Sequence, residues 1–129
     1  MSTNPVVHFE MPYADAARVK KFYEEAFGWG MQQLGPEMGD YVMAHASETD
    51  ANNMVENPGT INGGFFPTHD GATMPNVVIA VEDMVAALEK VQAAGGTLLT
   101  EPTEIPGIGT YANIRDTEGN RVSLLRPKR

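Results

Sequence analysis

A chain of 129 residues falls in the range of one domain and is long enough to bury roughly two thirds of its unfolded surface without external staples. Seventeen acidic against nine basic side chains give a net charge of −8 at pH 7, which on average repels phosphate backbones and anionic lipid; neither nucleic acid nor membrane is an expected partner. Cysteine is absent, so disulfides, thiolate nucleophiles and thiolate metal ligands are excluded and a cytoplasmic location is expected. Met1 to Pro5 has neither the charged nor the apolar region of a leader, and the longest aliphatic run, Val77 to Val81, is far below a membrane span, so the chain reads as soluble and unprocessed.

In chain order, Val6 to Met11 has strand composition, and Pro12 is expected to end it. Alternation puts His8 and Glu10 on one face and Val7, Phe9 and Met11 on the other. Asp15 is a natural helix cap, and the helix from about Ala16 to Phe27 carries Val19, Phe22, Tyr23, Ala26 and Phe27 at three- and four-residue steps before Gly28 stops it. Trp29 then joins the core. Short strands follow at Met31 to Leu34, Tyr41 to Ala46 and Thr60 to Phe66. Ser47 to Gly59, with Asn52 and Asn53, is a polar mobile loop, and Thr68 to Pro75 is a linker.

The second half opens with a strand from Asn76 to Val81. Asp83 caps a helix reaching Ala94 with Met84, Ala87, Leu88 and Val91 inward, closed by Gly95 and Gly96. Thr97 to Leu99, Tyr111 to Ile114 and Asn120 to Leu125 are further strands, the last entered through the turn Asp116 to Asn120. Ile105 to Gly109 is either a flexible cover or a rigid connection, and Arg126 to Arg129 is a solvated basic end. His8 and Asn76, Asp15 and Asp83, and Gly28 and Gly96 each stand 68 positions apart. One βαβββ unit is therefore written twice, as module one over 5–67 and module two over 75–126 of a single domain covering 1–129.

A paired βαβββ unit with Asp-capped helices, Lys21-Phe22-Tyr23 followed by Phe27-Gly28-Trp29, and a closing Asp-x-x-Gly-Asn turn at 116–120 resembles the vicinal oxygen chelate superfamily, the glyoxalase, bleomycin-resistance and extradiol dioxygenase group. The resemblance implies an α+β fold in which two tandem modules form a cupped mixed sheet with helices outside, and it implies a homodimer. In metal-using members the ligands come from the first and last strands of each module. Those positions fall here on His8, on Asn76 where His is usual, on Ser123 where Glu is usual, and around Gly63 and Gly64, which offer no side chain. Two neutral groups and a glycine are a poor donor set for a divalent ion, so no cofactor is expected unless His8, Glu10 and His45 rebuild a metal site.

The remaining candidates follow from shared faces. His8 and Glu10, about 6.6–6.8 Å apart along the strand, are either an acid–base or ligand-anchoring pair or a structural polar pair. Asn76 and Ser123 either hydrogen-bond a ligand or satisfy one another. Tyr111, Asn113 and Arg115 share a face and would contribute to ligand binding, with Arg115 suited to an anion or else solvated beside its turn. Eight methionines supply adaptable apolar surface for a pocket or a dimer interface. The function expected is binding of a small organic molecule without a standard metal site. The alternative is a metal-dependent glyoxalase-like lyase or isomerase, or a dioxygenase-like enzyme, that uses His8 and Glu10.

Overall fold

The computed structural model describes residues 3–52 and 54–128. Met1, Ser2, Asn53 and Arg129, and with them part of the predicted polar loop and the last residue of the basic end, lie outside the described residues. Among the described residues nine strands and two α-helices form two compact units, one of His8–Pro75 and one of Met1–Val7 with Asn76–Arg129.

In the first unit the elements are β1 (Val6–Tyr13, its part from His8 on), α1 (Ala16–Phe27), β2 (Gly30–Gln33), a 3-10 turn (Pro36–Met38), β3 (Val42–His45) and β4 (Asn62–Pro67). The strands run in the order β2-β3-β4-β1, antiparallel except for the parallel pair β1 and β4. The second unit holds β5 (Asn76–Ala80), α2 (Met84–Ala93), β6 (Thr97–Leu98), β7 (Thr103–Ile105), β8 (Gly109–Arg115) and β9 (Arg121–Pro127). Its order is β5-β9-β8-β6, with β7 also paired to β8 and with β5 and β9 parallel.

The repeat is visible in the helix caps. Asp15 (φ −139°, ψ 109°) accepts from Arg18 N, and Asp83 (φ −135°, ψ 109°) accepts from Ala86 N, both at 3.0 Å. Each carboxylate satisfies one of the donors that a helix N-terminus leaves without an intrahelical partner. Beneath α1, Val42, Ala44 and Phe65 form a buried cluster against Phe9, Met11, Tyr13, Val19, Tyr23 and Trp29. Beneath α2, Val81, Met84, Ala112, Ile114 and Leu124 do the same, with Ala87, Leu88 and Val91 packed on them as the helical spacing predicts. Because strand side chains alternate, each sheet sends its polar series to the face opposite its helix.

Several expectations need correction. Pro12 does not end β1, which runs on to Tyr13 with Pro12 opposite Phe66; only every second residue turns its N–H toward β4, so a proline at an intervening position costs no ladder bond. The second unit has an extra strand: β7 folds back on β8 through Gly107 (φ +79°), making 105–109 a tight hairpin and that half βαββββ. Phe22 and Phe27 are 55% and 63% exposed, because only Ala16, Val19 and Tyr23 of the helical stripe reach the sheet. Arg126 and Pro127 are exposed, as expected of a solvated basic end, but they also close β9 opposite Thr110 and Gly109. The 47–59 loop is tied at its neck by Ser47 N to Asn62 Oδ1 (2.7 Å), by the Ser47–Thr60 hydroxyl pair (2.7 Å) and by a bridge between Thr49 and Val55.

Candidate functional site

Two polar clusters carry the candidate residues, one in each unit. In the first, β1 presents His8 and Glu10 side by side, and a third residue joins them: Tyr41, just before β3. Its hydroxyl donates to Glu10 Oε2 at 3.0 Å and lies 3.2 Å from His8 Nε2. Glu10 is only 5% exposed, so this hydrogen bond is part of what makes burial of a carboxyl tolerable. Burial pulls the His8 imidazole below its ordinary pKa, and the Glu10 charge opposes that pull without overcoming it.

Gly64 explains how Tyr41 reaches this place. Gly64 stands opposite Glu10 in the parallel β1–β4 register, and a Cβ there would run into the Tyr41 ring. On the other face, a Cβ on Gly63 would run into the Phe9 ring. The glycine pair thus lets two aromatic rings lie flat on β4, one for the core and one for the polar face. In the sequence these glycines stand out only as a position that offers no ligand side chain.

In the second cluster Ser123 is the hub, fully buried on β9. Its Oγ donates to Asn113 Oδ1 (2.8 Å) and accepts from Asn76 Nδ2 (2.9 Å); its one proton being used, it also accepts from the Tyr111 hydroxyl (2.7 Å). Thr100 Oγ1 accepts from Asn113 N (2.9 Å) and Asn113 Nδ2 (3.3 Å). Four of the predicted residues, Asn76, Tyr111, Asn113 and Ser123, therefore come together. Arg115 shares the strand face but turns its guanidinium to Gly119 O (2.7 Å), bracing the 116–120 turn. In that turn Asp116 accepts from Asn120 Nδ2, Asn120 N and Glu118 N; the Asn120 side-chain bond is the largest of the pulls that hold its carboxyl below the ordinary carboxylate range.

The registers tie the clusters into one scheme. Val78 stands 68 positions after Glu10 and pairs with Ser123, as Glu10 pairs with Gly64; Ser123 is thus the counterpart of Gly64. Phe65 pairs with Val42 and Leu124 with Ala112, which makes Tyr41 and Tyr111, each one residue earlier, counterparts too. Tyr41 and Thr100 were missed by the sequence reading. Tyr41 had a signal, a tyrosine opening an expected strand in both halves, but its offset from Tyr111 is 70 because the halves differ in length after the helix. Thr100 had none.

The donor set does not suit a divalent metal. Of the positions implied by the resemblance, His8 alone carries an imidazole or carboxylate; Asn76 and Ser123 are engaged in a neutral network, and the Gly64 position is filled by a phenol ring. Among the described residues no group of three His, Cys, Asp or Glu is placed to hold an ion, so His45 does not join His8 and Glu10.

A family model described as Glyoxalase/Bleomycin resistance protein/Dioxygenase superfamily matches residues 6–124. The chain is 26% identical over 126 residues to a lactoylglutathione lyase of Haemophilus influenzae, a match covering 95% of this chain and 93% of that protein. It is 40% identical over 107 residues to CFP32 of Mycobacterium bovis, called a glyoxylase by inference; 82% of this chain is covered but only 38% of that longer protein. Among solved structures, a variant of Streptomyces coelicolor methylmalonyl-CoA epimerase in complex with 2-nitronate-propionyl-CoA shares the fold with a TM-score of 0.72 at 14% identity, covering 99% of this chain and 100% of that one.

Proposed function

For a chain that belongs to the Glyoxalase/Bleomycin resistance protein/Dioxygenase superfamily, we propose metal-independent binding of a small organic molecule, with His8, Glu10 and Tyr41 as the polar anchor. The observation that carries this reading is the His8–Tyr41–Glu10 chain of hydrogen bonds, which gives the imidazole and carboxyl a fixed geometry without an ion. Asn76, Ser123, Tyr111 and Asn113 supply a second, neutral set of hydroxyl and amide groups. Arg115 is the weakest of the ligand-binding candidates, its guanidinium being spent on its own hairpin. A metal-dependent lyase or dioxygenase would need at least two more protein ligands than His8 provides.

The ligand class proposed is a carbonyl or thioester compound. Support comes from two directions: a relative named for lactoylglutathione, and a fold neighbour bound to a coenzyme A thioester analogue. The assembly proposed is a homodimer in the cytoplasm, consistent with methionine-rich composition and absence of cysteine. Among the described residues no helix is long and apolar enough to cross a membrane. Light scattering reads the assembly directly, as a particle of about twice the 14.0 kDa chain mass.

Calorimetric titration of chelator-treated protein with S-lactoylglutathione, and separately with methylmalonyl-CoA, tests the function. Saturable binding of either compound is expected, weakened on the order of tenfold or more by Glu10→Gln, since a charge-assisted contact is worth about 1.5–3 kcal/mol. Binding of either compound that appears only when Zn²⁺ or Ni²⁺ is restored would reject the metal-independent reading.

A further inference from the structure

We propose that Tyr41 is a specificity-determining residue that fixes His8 as the Nε2–H tautomer, so that the nitrogen left for a ligand is Nδ1, a hydrogen-bond acceptor. The inference deepens the reading that His8 is part of the ligand anchor and rests on it.

Tyr41 has one hydroxyl proton, and the geometry spends it on Glu10 Oε2 at 3.0 Å. At the 3.2 Å contact with His8 Nε2 the phenol oxygen therefore has only a lone pair to offer, and the imidazole must bring the proton. A neutral imidazole with its proton on Nε2 carries a lone pair on Nδ1. No described residue hydrogen-bonds to His8 Nδ1. The direction of the whole chain is set at its far end by the Glu10 carboxyl, which is held in place by burial, and the phenol is held flat by Gly64.

The consequence is a selection rule. A ligand group seated on His8 Nδ1 is a donor, an O–H or N–H such as the hydroxyl beside the carbonyl of a 2-hydroxyacyl thioester; a bare carbonyl oxygen would meet a lone pair and be rejected there. Loss of the Tyr41 hydroxyl relaxes the preference to the tautomer mixture of an unconstrained histidine, because no fixed acceptor then holds the proton on Nε2. Loss of the Glu10 charge weakens it, because an amide in its place is able to donate to Tyr41 and release the phenol proton toward His8.

Imidazole ¹⁵N spectra of the full-length protein, taken near pH 8 where an ordinary histidine is neutral, read this directly. His8 is expected to show Nε2 in the protonated, pyrrole-type region and Nδ1 in the unprotonated, pyridine-type region. In Tyr41→Phe, which keeps the ring over Gly64, the two signals should move toward the averaged positions of mixed tautomers, and in Glu10→Gln they should move the same way. A purely structural tyrosine would lower thermal stability in Tyr41→Phe and leave the tautomer alone. The proposal is overturned by a wild-type His8 protonated on Nδ1, or by Nε2–H signals that do not move in either variant. The tautomer is read on the free protein, so these outcomes are separate from whether S-lactoylglutathione or methylmalonyl-CoA binds.

Discussion

At the scale of single residues, the polar face of the first unit depends on what Gly64 lacks. A methyl group there meets the Tyr41 ring, so Gly64→Ala is expected to destabilise the protein by about 1–3 kcal/mol, the usual cost of overpacking. Thermal or urea unfolding measures it, and Tyr41→Ala in the same chain should recover part of the loss, the non-additivity that marks two groups competing for one space. His8 has a signature in pH. Its folded pKa lies below the ordinary value of about 6.5 because burial disfavours the imidazolium. The unfolded chain then binds its proton first as pH falls, so the contribution of neutral His8 is intact above about 6.5 and is lost as pH drops through that value toward the lower folded pKa. Stability curves of wild type and His8→Gln should therefore converge as pH falls across this window; a parallel offset throughout would mean that His8 does not titrate differently in the two states. The pairing of His8 with Glu10 was legible in the sequence because strand alternation is a local rule. Tyr41 was not, since its approach depends on a glycine 23 positions later in the chain, and nothing local announces that contact.

At the scale of elements, the repeat is carried by equivalent caps and equivalent registers more than by side-chain identity. Asp15 and Asp83 have nearly the same backbone angles and the same 3.0 Å bond, so Asp15→Ala and Asp83→Ala should each cost about 1 kcal/mol, and by similar amounts. Unfolding midpoints of the two variants check this, and a cost confined to one of them would show that the caps are not equivalent. Caps and helix faces were readable because they depend on residues three and four apart; Met84, Ala87, Leu88 and Val91 pack as that spacing requires. The outer edge of α1 was over-read, since Phe22 and Phe27 satisfy the same spacing yet stay at the surface in contact with Tyr23. Periodicity marks an apolar stripe but not how much of its width a four-stranded sheet covers. Strand ends were the other weak point: β7 has only three residues and gains its place by pairing with β8, which no local pattern of 103–105 signals.

At the scale of the whole molecule, the chain has the fold of its family, while the positions at which the resemblance implies metal ligands carry one imidazole, two neutral side chains and a glycine. That neutral residues stand at the positions where the resemblance implies ligands was legible by position alone, from Asn76, Ser123 and the 63–64 glycines. What replaces it was not, because a phenol bridging His8 to Glu10 and a serine hub joining Asn76, Tyr111 and Asn113 are properties of pairing between strands distant in sequence. Both replacements contain hydrogen bonds among the protein's own groups, and among the described residues no group of three His, Cys, Asp or Glu gathers around His8 to hold an ion. We therefore infer that this chain keeps the superfamily architecture for ligand binding without a resident metal. Elemental analysis of protein purified without added metal tests it most directly: Zn, Ni, Fe and Mn are expected far below one equivalent, unchanged in His8→Ala. About one equivalent of a single metal, lost in His8→Ala, would contradict the account.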